Sequence, residues 1–305
     1  MTPSEASRLR WHEDAVLFRE TISFTAARTG FSGRLVEKDY FATIVIEYLS
    51  AVSSLVFKGG TCLSKVWSSF RRLSEDLDFT IPTPFMATRR ERSGAATNLK
   101  QAMVELPRRL PGLRIVESVR GANASTHYSA TVGYRSVLTG GSGVLLVEVG
   151  IREPLLQPAV LGLASTVLLD PVSGERLVPA IPVLCLSRTE AYAEKFRAAL
   201  TRREAAIRDF FDIAVAVREG GLDPFDPELT RLVGLKLAVP GNGPVNLSEE
   251  RLRELMRQLE PQLEPVLRVR DLEKFDLGEA IEIVRAVAEA ARVERGPGVS
   301  GEPLS

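Results

Sequence analysis

The sequence lacks any apolar run approaching the roughly 20 residues needed to cross a bilayer. Its first sixteen residues, MTPSEASRLRWHEDAV, carry charges where a secretory leader needs an apolar segment. Both absences argue against membrane insertion and secretion. Cysteine is scarce: Cys62 and Cys185 are too few for a disulfide framework, which fits a reducing cytoplasm, and they read most simply as two small buried apolar side chains. With only two histidines as well, a Cys/His zinc site has too few ligands. No charge of one sign is in excess, because 39 Lys and Arg balance 39 Asp and Glu. That balance argues against a surface coated for indiscriminate nucleic-acid binding.

What is present is ordinary in bulk. The 305 residues, 45% hydrophobic and 26% charged, suffice for one large domain or two modest ones. The cations are mostly arginine and clustered: Arg71-Arg72, Arg89-Arg90 with Arg92, Arg108-Arg109 and Arg202-Arg203. Arginine suits bidentate phosphate contact, although such pairs also read as solvated helix ends. Charge permits a polynucleotide partner without demanding one.

Residues 10 to 50 read as helical with a break at Thr29-Gly30, giving an N-terminal helical segment over 1–50. Leu55-Val56-Phe57 is a short apolar strand ending at Gly59-Gly60, and a helical run follows from Cys62 to Arg72. Leu77 and Phe79 alternate with polar neighbours in a second strand closed by Pro82 and Pro84. After a helical stretch over 86–110 come strand candidates at Arg114–Val119, Tyr128–Leu138 and Val144–Ile151, the last two joined by a Gly-rich hairpin loop. A helical region begins near Ser187, where Ser187 and Glu190 have capping-box spacing, and runs with interruptions to about Arg292. The expected organisation is an α+β protein. A mixed-sheet core spans 51–185, a C-terminal helical domain spans 186–295, and a Gly/Pro/Ser-rich tail over 296–305 reads as disordered.

The informative stretch is Phe57-Lys58-Gly59-Gly60-Thr61-Cys62-Leu63-Ser64-Lys65, followed by Ser74-Glu75-Asp76-Leu77-Asp78-Phe79. A strand that stops at Gly-Gly and opens into a helix lets backbone N–H groups approach an anion, aided by the helix dipole. Thr61 or Ser64 could add a hydroxyl donor to the same phosphates. Asp76 and Asp78, two apart in a strand, point to one face, and such carboxylates repel unless a cation lies between them. Mg²⁺ takes one or two carboxylates and completes its shell with water and substrate phosphates. A two-metal site needs a further acid. Glu148, alone in an apolar strand, is the candidate, the plainer alternative being a solvent-facing residue.

These residues bring the chain to a resemblance. It resembles the AbiEii/AbiGii family of nucleotidyltransferase toxins, which includes the mycobacterial MenT toxins and forms the toxin half of type IV-like toxin–antitoxin and phage-defence pairs. The matching residues are Val36-Glu37-Lys38-Asp39-Tyr40, the Phe57–Lys65 run, Ser74–Phe79, the Glu148 strand, Lys195, and Arg208-Asp209-Phe210-Phe211-Asp212. The resemblance implies a polymerase-β-like nucleotidyltransferase core with Mg²⁺ or Mn²⁺ as cofactor and an NTP donor. It further implies a cognate antitoxin protein and, as in several members, transfer of nucleotides to the 3′ end of tRNA, which arrests translation. It places Asp76, Asp78 and Glu148 at the metal and Lys58, Gly59, Gly60, Thr61, Ser64, Lys65, Ser74 and Arg208 at the nucleotide. Lys195 would contact the triphosphate, with Asp209 or Asp212 completing the site.

That last group carries a geometric condition. An unbroken helix would separate Lys195 from Asp209 by roughly 21 Å, so a break near Thr201–Glu204 is expected. The expected reaction is in-line attack of an acceptor hydroxyl on the α-phosphate, with Glu148 as ligand or base on the nucleophile's side. A phosphate on Ser74, two residues before Asp76, would put negative charge beside the metal and act as an off switch. Two other readings compete: nucleotidylation of a protein or small-molecule hydroxyl, and a nucleotide-binding regulatory module without turnover.

Overall fold

The computed structural model describes residues 10–293, so the tail expected to be disordered lies outside the described residues. The chain divides after Leu186 into two compact units.

The first unit opens with two helices. Asp14 caps α1 (Ala15–Thr29) by accepting from the N–H groups of Val16 and Leu17, and Gly30, at φ 82°, ends it in the left-handed conformation. Ser32 caps α2 (Gly33–Ser50), which buries residues on nearly every side. A seven-stranded mixed sheet follows: β1 (Val56–Lys58), β2 (Asp76–Thr80), β3 (Leu113–Ala122), β4 (His127–Arg135), β5 (Ser142–Gly150), β6 (Val160–Ala164) and β7 (Ile181–Cys185), in the order β3-β4-β5-β2-β1-β7-β6. The pairs β2/β5 and β1/β7 are parallel and the rest antiparallel. One face of the sheet is core: Phe57, Leu77, Phe79, Leu145, Val147 and Val149 are buried with α2 residues Phe41 and Val45, and Phe41 stacks on Tyr134 of β4 at 4.1 Å. The residues alternating with these strand positions carry the polar groups, as period-2 geometry requires.

Two local expectations need correction. The helix after Gly59-Gly60 stops at Trp67, five residues short of Arg72: Gly59–Cys62 is α-helical (α3), Leu63–Trp67 a single π turn. The chain then reverses through Ser69 and Phe70 at positive φ, and residues 68–75 form an irregular loop before Asp76. The hairpin strand expected to reach Leu138 ends at Arg135, where Ser136 accepts the Gly140 N–H and donates its own to Gly141. Strands β6 and β7 were not expected individually. Helices α4 (Arg89–Ala95) and α5 (Thr97–Arg109) fill the stretch before β3.

The second unit is helical: α6 (Arg188–Thr201), α7 (Ile207–Arg218), α8 (Pro227–Leu237), α9 (Glu249–Met256), α10 (Val269–Leu272) and α11 (Leu277–Val293). Ser187 caps α6 through the Glu190 N–H. Among the described residues, no helix is long and apolar enough to cross a membrane.

Candidate active site

Asp76 and Asp78 lie half-buried on β2, while Leu77 between them and Phe79 beyond are buried. The two carboxylates therefore share a face. Asp78 is the register partner of Lys58 on β1 and of Glu148 on β5, so three charged side chains from three strands stand in one row. Gly59 follows directly. Its φ of 74° is in the left-handed region, and a Cβ there would lie 2.7 Å from the Cβ and Cγ of Asp78 and nearer still to Oδ2. Glycine is required on both counts. At Gly60 a Cβ would collide with the Arg72 guanidinium and sit 3.3 Å from Ser74 Oγ. The glycine turn thus meets Asp78 on one side and Arg72 and Ser74 on the other.

His127, at the start of β4, was not anticipated. Its Nε2 lies 3.2 Å from Glu148 Oε1, with about a third of each side chain exposed. The hydrogen bond to Glu148 raises the His127 pKa against the opposing effect of burial; the charges of Glu148 and Asp78 add to the rise, and Lys58 lowers it. No local sequence signal marks His127, since its partner is brought near by the β4/β5 hairpin register.

Three expected nucleotide contacts are turned inward. Thr61 is buried and its hydroxyl donates to the Asp76 carbonyl; buried Ser64 donates to the Arg72 carbonyl at 2.6 Å. Both hydroxyls hold the loop that delivers β2. Lys65 is buried too, with Nζ 2.6 Å from Asp39 Oδ1 and 2.7 Å from Thr43 Oγ1. The second oxygen of Asp39 accepts from Thr166 Oγ1 and the Val167 N–H, each at 2.9 Å. This network anchors the π turn to α2; burial lowers the Lys65 pKa although Asp39 opposes it. Lys38 of the same α2 motif reaches Glu75 Oε1 at 3.2 Å, bracing the loop next to Asp76. Arg72 is buried as well, which removes it from the arginines expected to meet RNA. Arg108 and Arg109 pair with Glu105, whereas Arg89 and Arg90 are exposed.

The donor set suits a hard divalent ion. Two aspartates on one face match the one or two carboxylates that Mg²⁺ or Mn²⁺ takes from protein when phosphates supply the rest. Among the described residues, no three His, Cys, Asp or Glu side chains gather closely enough to hold a metal by themselves. Glu148, expected as a third metal ligand, has one of its oxygens 3.2 Å from His127 Nε2 and stands in the same row as Asp78.

The second unit has its own cluster. The helix breaks between Thr201 and Ile207 as its length required, and Lys195 Nζ lies 2.6 Å from Asp209 Oδ1 and 2.9 Å from Asp212 Oδ2. Arg202 Nε is 3.5 Å from Asp209 Oδ2. Burial pushes the Asp209 carboxyl up, but Lys195 and Arg202 outweigh it and hold it below the usual carboxylate range. Arg208 is half-buried near the start of α7.

A family model described as nucleotidyl transferase AbiEii toxin, type IV TA system, matches residues 50–289. No curated protein matches the chain significantly. Among solved structures, JHP933 from Helicobacter pylori aligns with 16% identity and a TM-score of 0.48 over 87% of this chain and 94% of its own. A candidate nucleotidyltransferase from H. pylori aligns with 15% identity and a TM-score of 0.47, covering 85% of this chain and 94% of its own.

Proposed function

The chain belongs to the AbiEii family of nucleotidyltransferase toxins of type IV toxin–antitoxin systems, and from that premise we propose that it transfers a nucleoside monophosphate from an NTP to the terminal hydroxyl of an RNA, with the 3′ end of tRNA as the acceptor, and thereby blocks translation. The observation that carries this reading is the placement of Asp76 and Asp78 on one sheet face beside the Gly59-Gly60 turn, with Glu148 in the same row.

Asp76 and Asp78 would hold the divalent ion, which when bound neutralises charge on the triphosphate. Lys58 and the Gly59-Gly60 backbone orient the β- and γ-phosphates, so that the acceptor hydroxyl approaches from the β5/β4 side. Its oxygen forms the new bond to the α-phosphorus as the bond to pyrophosphate breaks, and its proton passes to Glu148, whose carboxylate His127 orients. Positioning and charge neutralisation supply most of the rate in such transfers. The partner that the family implies is a cognate antitoxin protein, and a gene for one immediately upstream is the simplest corroboration.

Incubation with labelled NTPs and Mg²⁺, with and without total tRNA, tests the reading. Label in tRNA is the expected result. Label in protein or a small molecule replaces the acceptor, and nucleotide binding without transfer removes the enzyme reading altogether.

A further inference from the structure

One row of side chains crosses five strands. Arg120 of β3 is the register partner of Ser129 on β4, Ser129 of Glu148 on β5, Glu148 of Asp78 on β2, and Asp78 of Lys58 on β1. Register partners project from the same face, so the row reads cation, hydroxyl, acid, acid, cation. Its Lys58 end adjoins the glycine turn. Its Arg120 end lies two strand spacings, about 10 Å, beyond Glu148.

Regular alternation would not put Arg120 there. Arg114, Glu117 and Arg120 are each three residues apart, and successive odd steps along a strand change face. Register shifts between Ile115 and Glu117 and between Glu117 and Arg120 restore all three to the face that carries Ser129 and Thr131. Such bulges re-aim side chains on edge strands. The first two of these residues are engaged, since Arg114 Nη2 donates to Ser142 Oγ at 2.7 Å and Glu117 accepts from Thr131 Oγ1 at 2.9 Å. Arg120 is exposed and makes no ion pair with any described residue.

We propose that Arg120 is an acceptor-strand subsite, holding a backbone phosphate of the RNA whose terminal hydroxyl lies at Glu148. This rests on the RNA-acceptor reading given above and gives the site a direction: NTP phosphates at the Lys58–Gly60 end, acceptor phosphates at the Arg120 end. A guanidinium matches a phosphodiester with two parallel hydrogen bonds. A protein hydroxyl acceptor offers no anion at a fixed distance from its reacting oxygen, so an unengaged cation on this row favours a polynucleotide.

The test uses the full chain with Arg120→Ala and Arg120→Lys, labelled NTP, Mg²⁺ and total tRNA. The Ala variant is expected to raise KM for RNA by roughly tenfold while kcat and KM for NTP stay put, and the Lys variant to recover most of the loss. Without nucleotide, the slope of log affinity for RNA against log salt should fall by about one in the Ala variant. If wild-type protein labels RNA and both KM for RNA and salt slope are untouched by Arg120→Ala, the subsite is wrong and the RNA reading stands. A rise in KM for NTP alone would also overturn it, by moving Arg120 to the donor side. Wild-type protein that labels protein and never RNA removes the subsite together with the reading beneath it.

Discussion

Gly59 and Asp78 are built for each other: the Asp78 side chain fills the space in which any Cβ at position 59 would lie, and Gly59 holds φ at 74°. The turn and the carboxylate are one unit. An L-residue in the left-handed region costs about 1–2 kcal/mol, and here it must also push Asp78 aside. Gly59→Ala is therefore expected to lose transfer activity far beyond its effect on melting, because the displaced group is the carboxylate itself. Kinetics and thermal melting on one preparation check this. Activity that falls only in step with stability would show that the close packing has no part in the reaction.

Asp76→Asn and Asp78→Asn should each reduce transfer by at least about 10², a loss read by kinetics on protein shown by circular dichroism to be folded. Chelation should abolish wild-type activity, and Mg²⁺ or Mn²⁺ should restore it. Either single variant retaining full transfer would defeat the assignment.

Spacing made the aspartate pair legible, since two aspartates at i and i+2 had to share a face. In the second unit the grouping of Lys195 with Asp209 or Asp212 came from the family resemblance, and helix length then required a break between them, found between Thr201 and Ile207. Other features depend on pairings that no local pattern records. His127 and Glu148 meet through hairpin register. Thr61, Ser64 and Lys65 sit within a glycine-led motif that suggests phosphate donors, yet the helical turn directs them inward to carbonyls and to Asp39. Arg120 reaches its face only through bulges, which strict alternation cannot foresee. Strand β7 does alternate, with Ile181, Val183 and Cys185 buried and Pro182 and Leu184 exposed, but five residues containing a proline are a weak signal.

The Lys65–Asp39 pair should behave as structure and not as a substrate contact. Lys65→Met leaves Asp39 buried opposite no cation, a loss expected to cost about 3–5 kcal/mol. Adding Asp39→Leu should return much of it. KM for NTP in the folded double variant should match wild type. A rise of several-fold, without a stability loss in the single variant, would restore Lys65 to the nucleotide site.

Asp209 gives the acid limb of stability a defined origin. Its carboxyl is held below the usual range by Lys195 and Arg202 against the effect of burial. A carboxyl with a depressed folded-state pKa contributes stability that is present above its unfolded value, near 4, and is lost as pH falls through the folded value. Asp209→Asn should cost roughly 3 kcal/mol at pH 7, at the lower end for a broken buried pair, because Asp212 still faces Lys195 at 2.9 Å. The gap between variant and wild type should narrow as pH falls below about 4, the ordinary carboxylate value, since only the wild type has a carboxylate at position 209 to take up a proton. Urea melts across that range read this directly. A gap that stays constant through acid pH would mean that the Asp209 charge contributes nothing and that only its shape is needed.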